Sequence, residues 1–357
     1  MTKKILSKET QHNIAKVIDR KFIRHLLCEN LPKHYDNYQK LLSFKLDPYK
    51  RHISPRNVVF VVEFKIKYQD KVGHSHNLDI FCSAHSDGSR KDAYKNCKFL
   101  YEHGFDKGNF RVTKPLFYLV KQKAFFYEAS PGRSFLNFFT QEPEANLKPT
   151  FKLIVAWIKK IHNFDTKLDF SLPIFRISKM IPSPKRFIPD FYEDNIEYGK
   201  QVEDLLARMR KLKEEFSKNF KASIIYGDYH PDNVIISSLK AKEIEMIDFT
   251  DVAKGDPMVD LGAFLQQFDF MGHNYLPRQK INSYKEYLLE QYFGKDFDKI
   301  KIDFINRINL YQAWTALRSA ILIFYQQNED NPIDGVLEEC DQYLHLASNN
   351  THKINLH

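Results

Sequence analysis

The sequence predicts an α+β protein of two lobes, a small antiparallel-sheet lobe at the N-terminal end and a larger, mostly helical lobe after it. Three observations carry this. From Val58 to Ala129 the apolar residues are largely β-branched or aromatic and fall into runs separated by turn signals. The stretch "SPGRS", Ser130–Ser134, then punctuates the chain. Beyond it the apolar spacing is helical almost throughout. The expected lobes are residues 1–129, which include an N-terminal helix, and residues 130–357.

Taken in order, "KETQHNIAKVIDRKFIRHLL" repeats apolar residues at Ile14, Val17, Ile18, Phe22 and Leu26, the spacing of one amphipathic helix. "NVVFVVEFKIKYQ" and "HNLDIFCSAHS", joined by the turn signal "KVGHSH", predict an antiparallel pair. "DAYKNCKFLYEHG" predicts a helix stopped by Gly104, and "PLFYLVKQKAFFYEA" a further hairpin. The second lobe reads as helices over "FKLIVAWIKKIHNF", "IEYGKQVEDLLARMRKLKEEF", "MVDLGAFLQQF", "INSYKEYLLEQYF", "IDFINRINLYQAWTALRSAILIFYQQ" and "PIDGVLEECDQYLHLA". One stretch breaks that run with two short strands: "SIIYGDYHPDNVIISSLKAKEIEMIDFTDV", Ser223–Val252.

Composition narrows the function. A chain of 357 residues with 43% hydrophobic content can fill two cores. The longest unbroken apolar run, "AILIFY", is far short of the roughly 18 residues that span a bilayer, and "MTKKILSKETQHN" lacks an apolar signal core. No membrane association and a cytoplasmic location are the expectation. The net charge of +9 is interleaved along the chain instead of gathered in one basic block, which argues against a nucleic-acid partner. Cys28, Cys82, Cys97 and Cys340 are scattered without metal-ligand spacing and are expected to be reduced thiols, mostly buried.

The chemistry concentrates in Ser223–Val252. If "VIIS" and "IEMI" pair across "SLKAKE", Asn233 and Asp248 fall opposite each other, within about 5 Å between α-carbons. One amide oxygen, one carboxylate and substrate phosphates make a typical Mg²⁺ site. Asp228 lies five residues before Asn233, on the loop entering the hairpin, where a carboxylate can accept the proton of an attacking hydroxyl.

"YGDYHPDNVII" followed by "MIDFTDVAKGDPMVDLGAFL" resembles the aminoglycoside phosphotransferase and choline kinase family, with its H-G-D-x-H-x-x-N, I-D-F/W, G-D-P and D-L-A pattern. The Asp-x-x-x-x-Asn spacing is also that of the protein-kinase catalytic loop. "YEASPGRSF" resembles the family's adenine-holding hinge, and "WIKKIHNFD" its Leu-His helix end. The resemblance implies a bilobal protein-kinase-like fold and an ATP-dependent phosphotransferase acting on a small-molecule hydroxyl. It implies Asp228 as catalytic base, Asn233 and Asp248 as Mg²⁺ ligands, and His230, Asp256 and Asp260 as residues bracing the loop. The segment Phe126, Tyr127, Glu128 and Ala129 would hold the nucleotide, and His162 would be a buried, hydrogen-bonding histidine.

Three departures fall around this pattern. Tyr226 stands where the family has histidine. Ser83 lies near the place of the phosphate-positioning lysine, and only Asp92 offers itself as that lysine's glutamate partner. The loop "HISPRNVVF" has no glycine. Arg56, Arg90, Lys91 and Lys95 are the candidates for the missing charge. A lobe without that charge also fits a nucleotide-binding scaffold or sensor. On the acceptor side, Glu329, Asp330, Asp334, Glu338, Glu339 and Asp341 would suit a cationic substrate, though at helical spacing they read more readily as a solvated face. Tyr311, Trp314 and Tyr325 read as core.

Overall fold

The computed structural model describes residues 5–54, 57–164, 171–218, 220–326 and 332–356. Arg56, Asp165, Glu329 and Asp330 lie outside them. The chain divides into two compact units, the first of residues 1–132 with 245–250, the second of residues 133–244 with 251–357.

The N-terminal amphipathic pattern is divided between two helices, α1 (Lys8–Ala15) and α2 (Arg20–Asn30). Asp19 divides them, its carboxylate capping α2 by accepting from the Phe22 amide at 2.8 Å. A five-stranded antiparallel sheet follows: β1 (Tyr38–Ile53), β2 (Val58–Asp70), β3 (Ser75–His85), β5 (Pro115–Leu119) and β6 (Ala124–Glu128), in the order β1-β2-β3-β6-β5. The β2–β3 and β5–β6 pairs are the two hairpins the sequence predicts. Strand β1 is unanticipated: it is an edge strand with Pro48 near a bulge, and most of its residues are exposed.

Helix α3 (Arg90–Leu100) runs on into a wide turn that Gly104 closes at φ +98°, and β4 (Phe110–Val112) follows. Ile23, Leu26 and Leu27 of α2 join Phe60, Phe64, Ile80 and Phe126 in one buried cluster.

The second unit begins with β7 (Arg133–Ser134), α4 (Phe135–Gln141) and α5 (Lys148–His162). Two helices then occupy 184–216: α6 (Pro184–Asp194) and α7 (Ile196–Phe216). The predicted interruption holds three strands instead of two, β8 (Ser223–Ile225), β9 (Val234–Ser238) and β10 (Glu243–Met246), along which the chain passes into the first unit, and β11 (Ala253–Gly255) follows directly after it. The last helices are α8 (Met258–Gly272), α9 (Arg278–Phe293), α10 (Ile302–Gln326) and α11 (Ile333–Ser348).

Phe135, Phe151, Phe264 and Phe268 form an aromatic cluster in this core. Helix α8 crosses α10 so closely that a Cβ on Gly262 would lie 2.6 Å from Tyr311 Cβ. No helix among the described residues is long and apolar enough to cross a membrane. All four cysteines are free, and Cys82, Cys97 and Cys340 are buried.

Candidate active site

In the second unit the loop Tyr226–Asn233 is bound from beneath. Strand β8, which leads into it, pairs antiparallel with β11, so both ends of the motif region are anchored by backbone bonds. Asp260, fully buried at the start of α8, accepts the Tyr226 amide at 2.8 Å and the Gly227 amide at 2.7 Å. His162 Nε2 lies 2.8 Å from the same carboxylate and its Nδ1 2.8 Å from the Tyr292 hydroxyl, so both ring nitrogens are engaged.

Gly227 holds φ +84°, and a Cβ there would meet the Asp251 carbonyl oxygen at 2.3 Å; only glycine fits the bend. The ring of Tyr226 is buried edge-on to Trp157, and the Tyr229 hydroxyl donates to the Ile154 carbonyl at 2.8 Å.

Asp256 is fully buried. It accepts from Arg307 Nη1 at 2.6 Å, from the Tyr311 hydroxyl at 3.2 Å and from the Met258 amide at 3.1 Å. Asp256 and Asp260 therefore both fix backbone amides around the motif.

The loop presents Asp228 to a cavity of about 320 Å³, also lined by His230, Gln267, Met271, Thr315, Arg318 and Ser319. Arg318 Nη2 lies 3.2 Å from Asp228 Oδ1, and His230 Nε2 lies 3.6 Å from Asp228 Oδ2. Burial would push the Asp228 carboxyl up, but Arg318 and His230 outweigh it and hold it well below the usual carboxylate range. Asn233, also buried, donates its Nδ2 to the Asp228 carbonyl at 3.1 Å and so ties the two ends of the loop together.

Sequence reasoning missed Arg318, reading its helix as core. The signal was there: Arg318 is the lone charge in the apolar run "AWTALRSAILIFY". Trp314 is indeed buried, donating Nε1 to the Ile177 carbonyl at 2.9 Å, and Tyr311 is fully buried, but Tyr325 is only half-buried, its hydroxyl drawn outward to donate to Asp190 Oδ2 at 2.6 Å.

Asp248 belongs to the first unit. Its backbone is held at φ +55°, the left-handed region that a non-glycine residue occupies at a cost. Oδ1 accepts from the Thr250 hydroxyl at 2.6 Å, and Oδ2 accepts from Arg90 Nη1 at 2.9 Å. Asn96 of the same helix donates to the Phe249 carbonyl at 2.8 Å. Burial first, and the Arg90 guanidinium second, push the nearby His85 imidazole down to about 4, leaving it neutral at physiological pH.

Ser83 is buried between its strand partners Val61 and Phe125, while Lys91, Lys95 and Asp92 are exposed. Of the proposed replacements for the missing charge, Arg90 alone among the described residues is paired with Asp248.

The nucleotide-holding segment is only partly open to a ligand. Phe126 is fully buried, stacked on Phe117 at 4.6 Å, and has no surface to offer. The Glu128 amide donates to the Lys114 carbonyl, the Glu128 carbonyl accepts from Thr113 Oγ1, and the Ala129 amide donates to the Asp79 carbonyl. Tyr127 points to the other face of β6, within electrostatic reach of Asp248 and Arg90.

The acidic residues of α11 do not line the Asp228 cavity. Asp334 and Glu338 are exposed, Asp341 pairs with Arg208, and Glu339 lines a separate cavity with Asp269, His273 and Arg278.

An antiparallel-sheet unit and a helical unit carrying a braced Asp-x-x-x-x-Asn loop define a protein of kinase-like architecture. The phosphotransferase enzyme family matches residues 79–301, more than half of the chain, and the protein belongs to that family. Solved structures with the same fold include an amicoumacin kinase in complex with AMP-PNP, Ca²⁺ and Ami (13% identity, TM-score 0.55, covering 95% of this chain and 96% of that one). They also include a Plasmodium vivax ethanolamine kinase (12%, 0.57, 96% and 95%) and an ADP-bound aminoglycoside phosphotransferase, APH(2'')-Ib (11%, 0.54, 92% and 99%). No curated protein matches the sequence.

Proposed function

We propose that this phosphotransferase is an ATP-dependent kinase of a small molecule, moving the γ-phosphoryl group of ATP onto a hydroxyl. The observation that carries the reading is Asp228: an ionised, braced carboxylate opening on a cavity of small-molecule size. The acceptor hydroxyl would lie against Asp228, which orients its oxygen toward phosphorus and takes its proton as the new P–O bond forms and the bond to the ADP oxygen breaks.

A carboxylate this weakly basic acts chiefly by orientation. That suits a loose transition state in which the attacking oxygen keeps its proton until late. Asn233 and Asp248 are the residues that would hold Mg²⁺, which neutralises phosphate charge when bound. The oxygen-bearing amide and carboxylate fit a hard cation, and the cost of holding Asp248 at positive φ is what a functional position warrants. In the first unit, the Tyr127 face of β6 is assigned to the nucleotide, narrowing the Phe126–Ala129 segment.

The test is transfer of labelled phosphate from MgATP to a metabolite extract. The wild type should yield a phosphorylated product, and Asp228→Asn should lower the rate at least about 100-fold while unfolding at the wild-type midpoint. Undiminished transfer by Asp228→Asn would remove its role. Nucleotide binding without any transfer would favour the scaffold or sensor reading.

A further inference from the structure

We infer that Arg90 is the phosphate-binding cation of this protein, gripping the metal-ligand carboxylate with one nitrogen and a nucleotide phosphate oxygen with another. The inference rests on the kinase reading and adds to it a residue on α3 that supplies the charge β3 lacks.

Arg90 is the first residue of α3 and only 8% exposed. Its Nη1 is committed to Asp248 Oδ2 at 2.9 Å. Its Nε is buried and has no hydrogen-bond partner among the described residues. A buried guanidinium N–H without an acceptor is a standing cost that calls for a physical explanation, and an anion bound in the working protein supplies one.

The chemistry of the missing partner follows from the donor. A guanidinium presents a planar fork that matches the oxygens of phosphate, and a neutral ligand atom would use only part of that charge. The position follows from Asp248: an anion meeting Arg90 stands beside the carboxylate proposed to hold Mg²⁺, which is where a polyphosphate must lie to share that ion. Among the described residues, the other named candidates for this charge do not reach Asp248. Lys91 and Lys95 face solvent, and Ser83 fills the strand position without a charge.

Calorimetric titration of the full chain with MgATP and with adenosine, on wild type, Arg90→Met and Arg90→Lys, tests this without requiring turnover. Arg90→Met should weaken MgATP about tenfold or more and leave adenosine unchanged, because only the phosphates lose a charge-assisted bond. Arg90→Lys, which keeps the charge but not the fork, should fall between, and it carries the test if the methionine variant does not fold. Equal MgATP affinity in wild type and variants, or an equal loss for adenosine, would overturn the assignment. A wild type that binds no nucleotide at all would instead remove the kinase reading, and this inference with it.

Discussion

Arg318 holds Asp228 Oδ1 at 3.2 Å and Asp251 Oδ2 at 3.5 Å with a single nitrogen, while its guanidinium lies 4.7 Å from the ring of Trp314, one turn earlier on α10. A charge stacked on an aromatic face and shared between two carboxylates has little freedom to wander. The carboxylate proposed to orient the acceptor is thereby fixed by a residue far along the chain.

Replacing that guanidinium should alter basicity as well as position. Asp228 is depressed in the folded protein, so its anionic form is complete above the ordinary carboxylate range and is lost only as pH falls through the lower folded value. In Arg318→Gln the carboxyl climbs back toward the ordinary range. The acidic limb of the kcat–pH profile should therefore move to higher pH, and kcat at neutral pH should fall about tenfold to a hundredfold from lost orientation. Superimposable acidic limbs in the two proteins would contradict the coupling.

Among the described residues, the basic groups lining the cavity beside Asp228 are Arg318 and His230, both engaged with Asp228, and no other carboxylate lines it. Its remaining polar groups include Gln267, Thr315 and Ser319, which donate and accept hydrogen bonds without net charge. Neutral polyols or hydroxyamides should therefore be phosphorylated with kcat/KM about tenfold or more above that of polycationic aminoglycosides of similar size. A competition assay over both classes decides it, and preference for the polycation would count against this reading of the cavity.

His85 sets a pH dependence of stability. With its pKa lowered from an unfolded value of about 6.5 to about 4, the unfolded chain binds the extra proton first, so stability should decline as pH falls across that interval. Chemical denaturation at pH 7 and pH 5 should show the loss in the wild type and a smaller one in His85→Gln. An equal slope in both would assign the effect elsewhere.

The Arg307–Asp256 pair is 1% and 0% exposed on its two side chains. Asp256→Ala leaves Arg307 with Asp303, at 3.0 Å, as its remaining carboxylate and removes the acceptor of the Met258 amide. Breaking such a pair costs about 3–5 kcal/mol, and the surviving partner places the expectation near the lower end. A urea midpoint within error of the wild type would show that the pair contributes nothing net.

The division into a sheet-rich and a helical part, the two hairpins and the braced loop were legible because each has a strong local signature: period-two runs, turn residues or dense polar spacing. Strand β1 was not, because an edge strand needs no apolar alternation and "SFKLDPYKRH" carries charge and a proline. Strands β8 and β11 are three residues each, too short for any period to register. The single N-terminal helix failed at Asp19, whose capping preference outweighs a continuous apolar stripe. The pairings of Arg318 and Arg90, one marked in the sequence only by its lone charge and the other only as one of four candidates, were illegible for a different reason. Their partners lie 90 and 158 residues away in sequence, and no local pattern encodes which of several basic residues folding brings to a given carboxylate.

The excursion of residues 245–250 into the first unit has a consequence for anyone dissecting the molecule. That hexapeptide brings Glu245 to Arg111 and Ser130, Met246 to the Thr113 amide, Asp248 to Arg90 and Phe249 to Asn96. A gene fragment ending near Gly132 would encode every strand of the five-stranded sheet yet omit the acceptors those groups require, and would deprive the buried Arg90 of the carboxylate it is hydrogen-bonded to. The sheet unit is discontinuous in the gene, so an excised version would have to receive 245–250 as a grafted loop or an added peptide before it could be expected to stand alone.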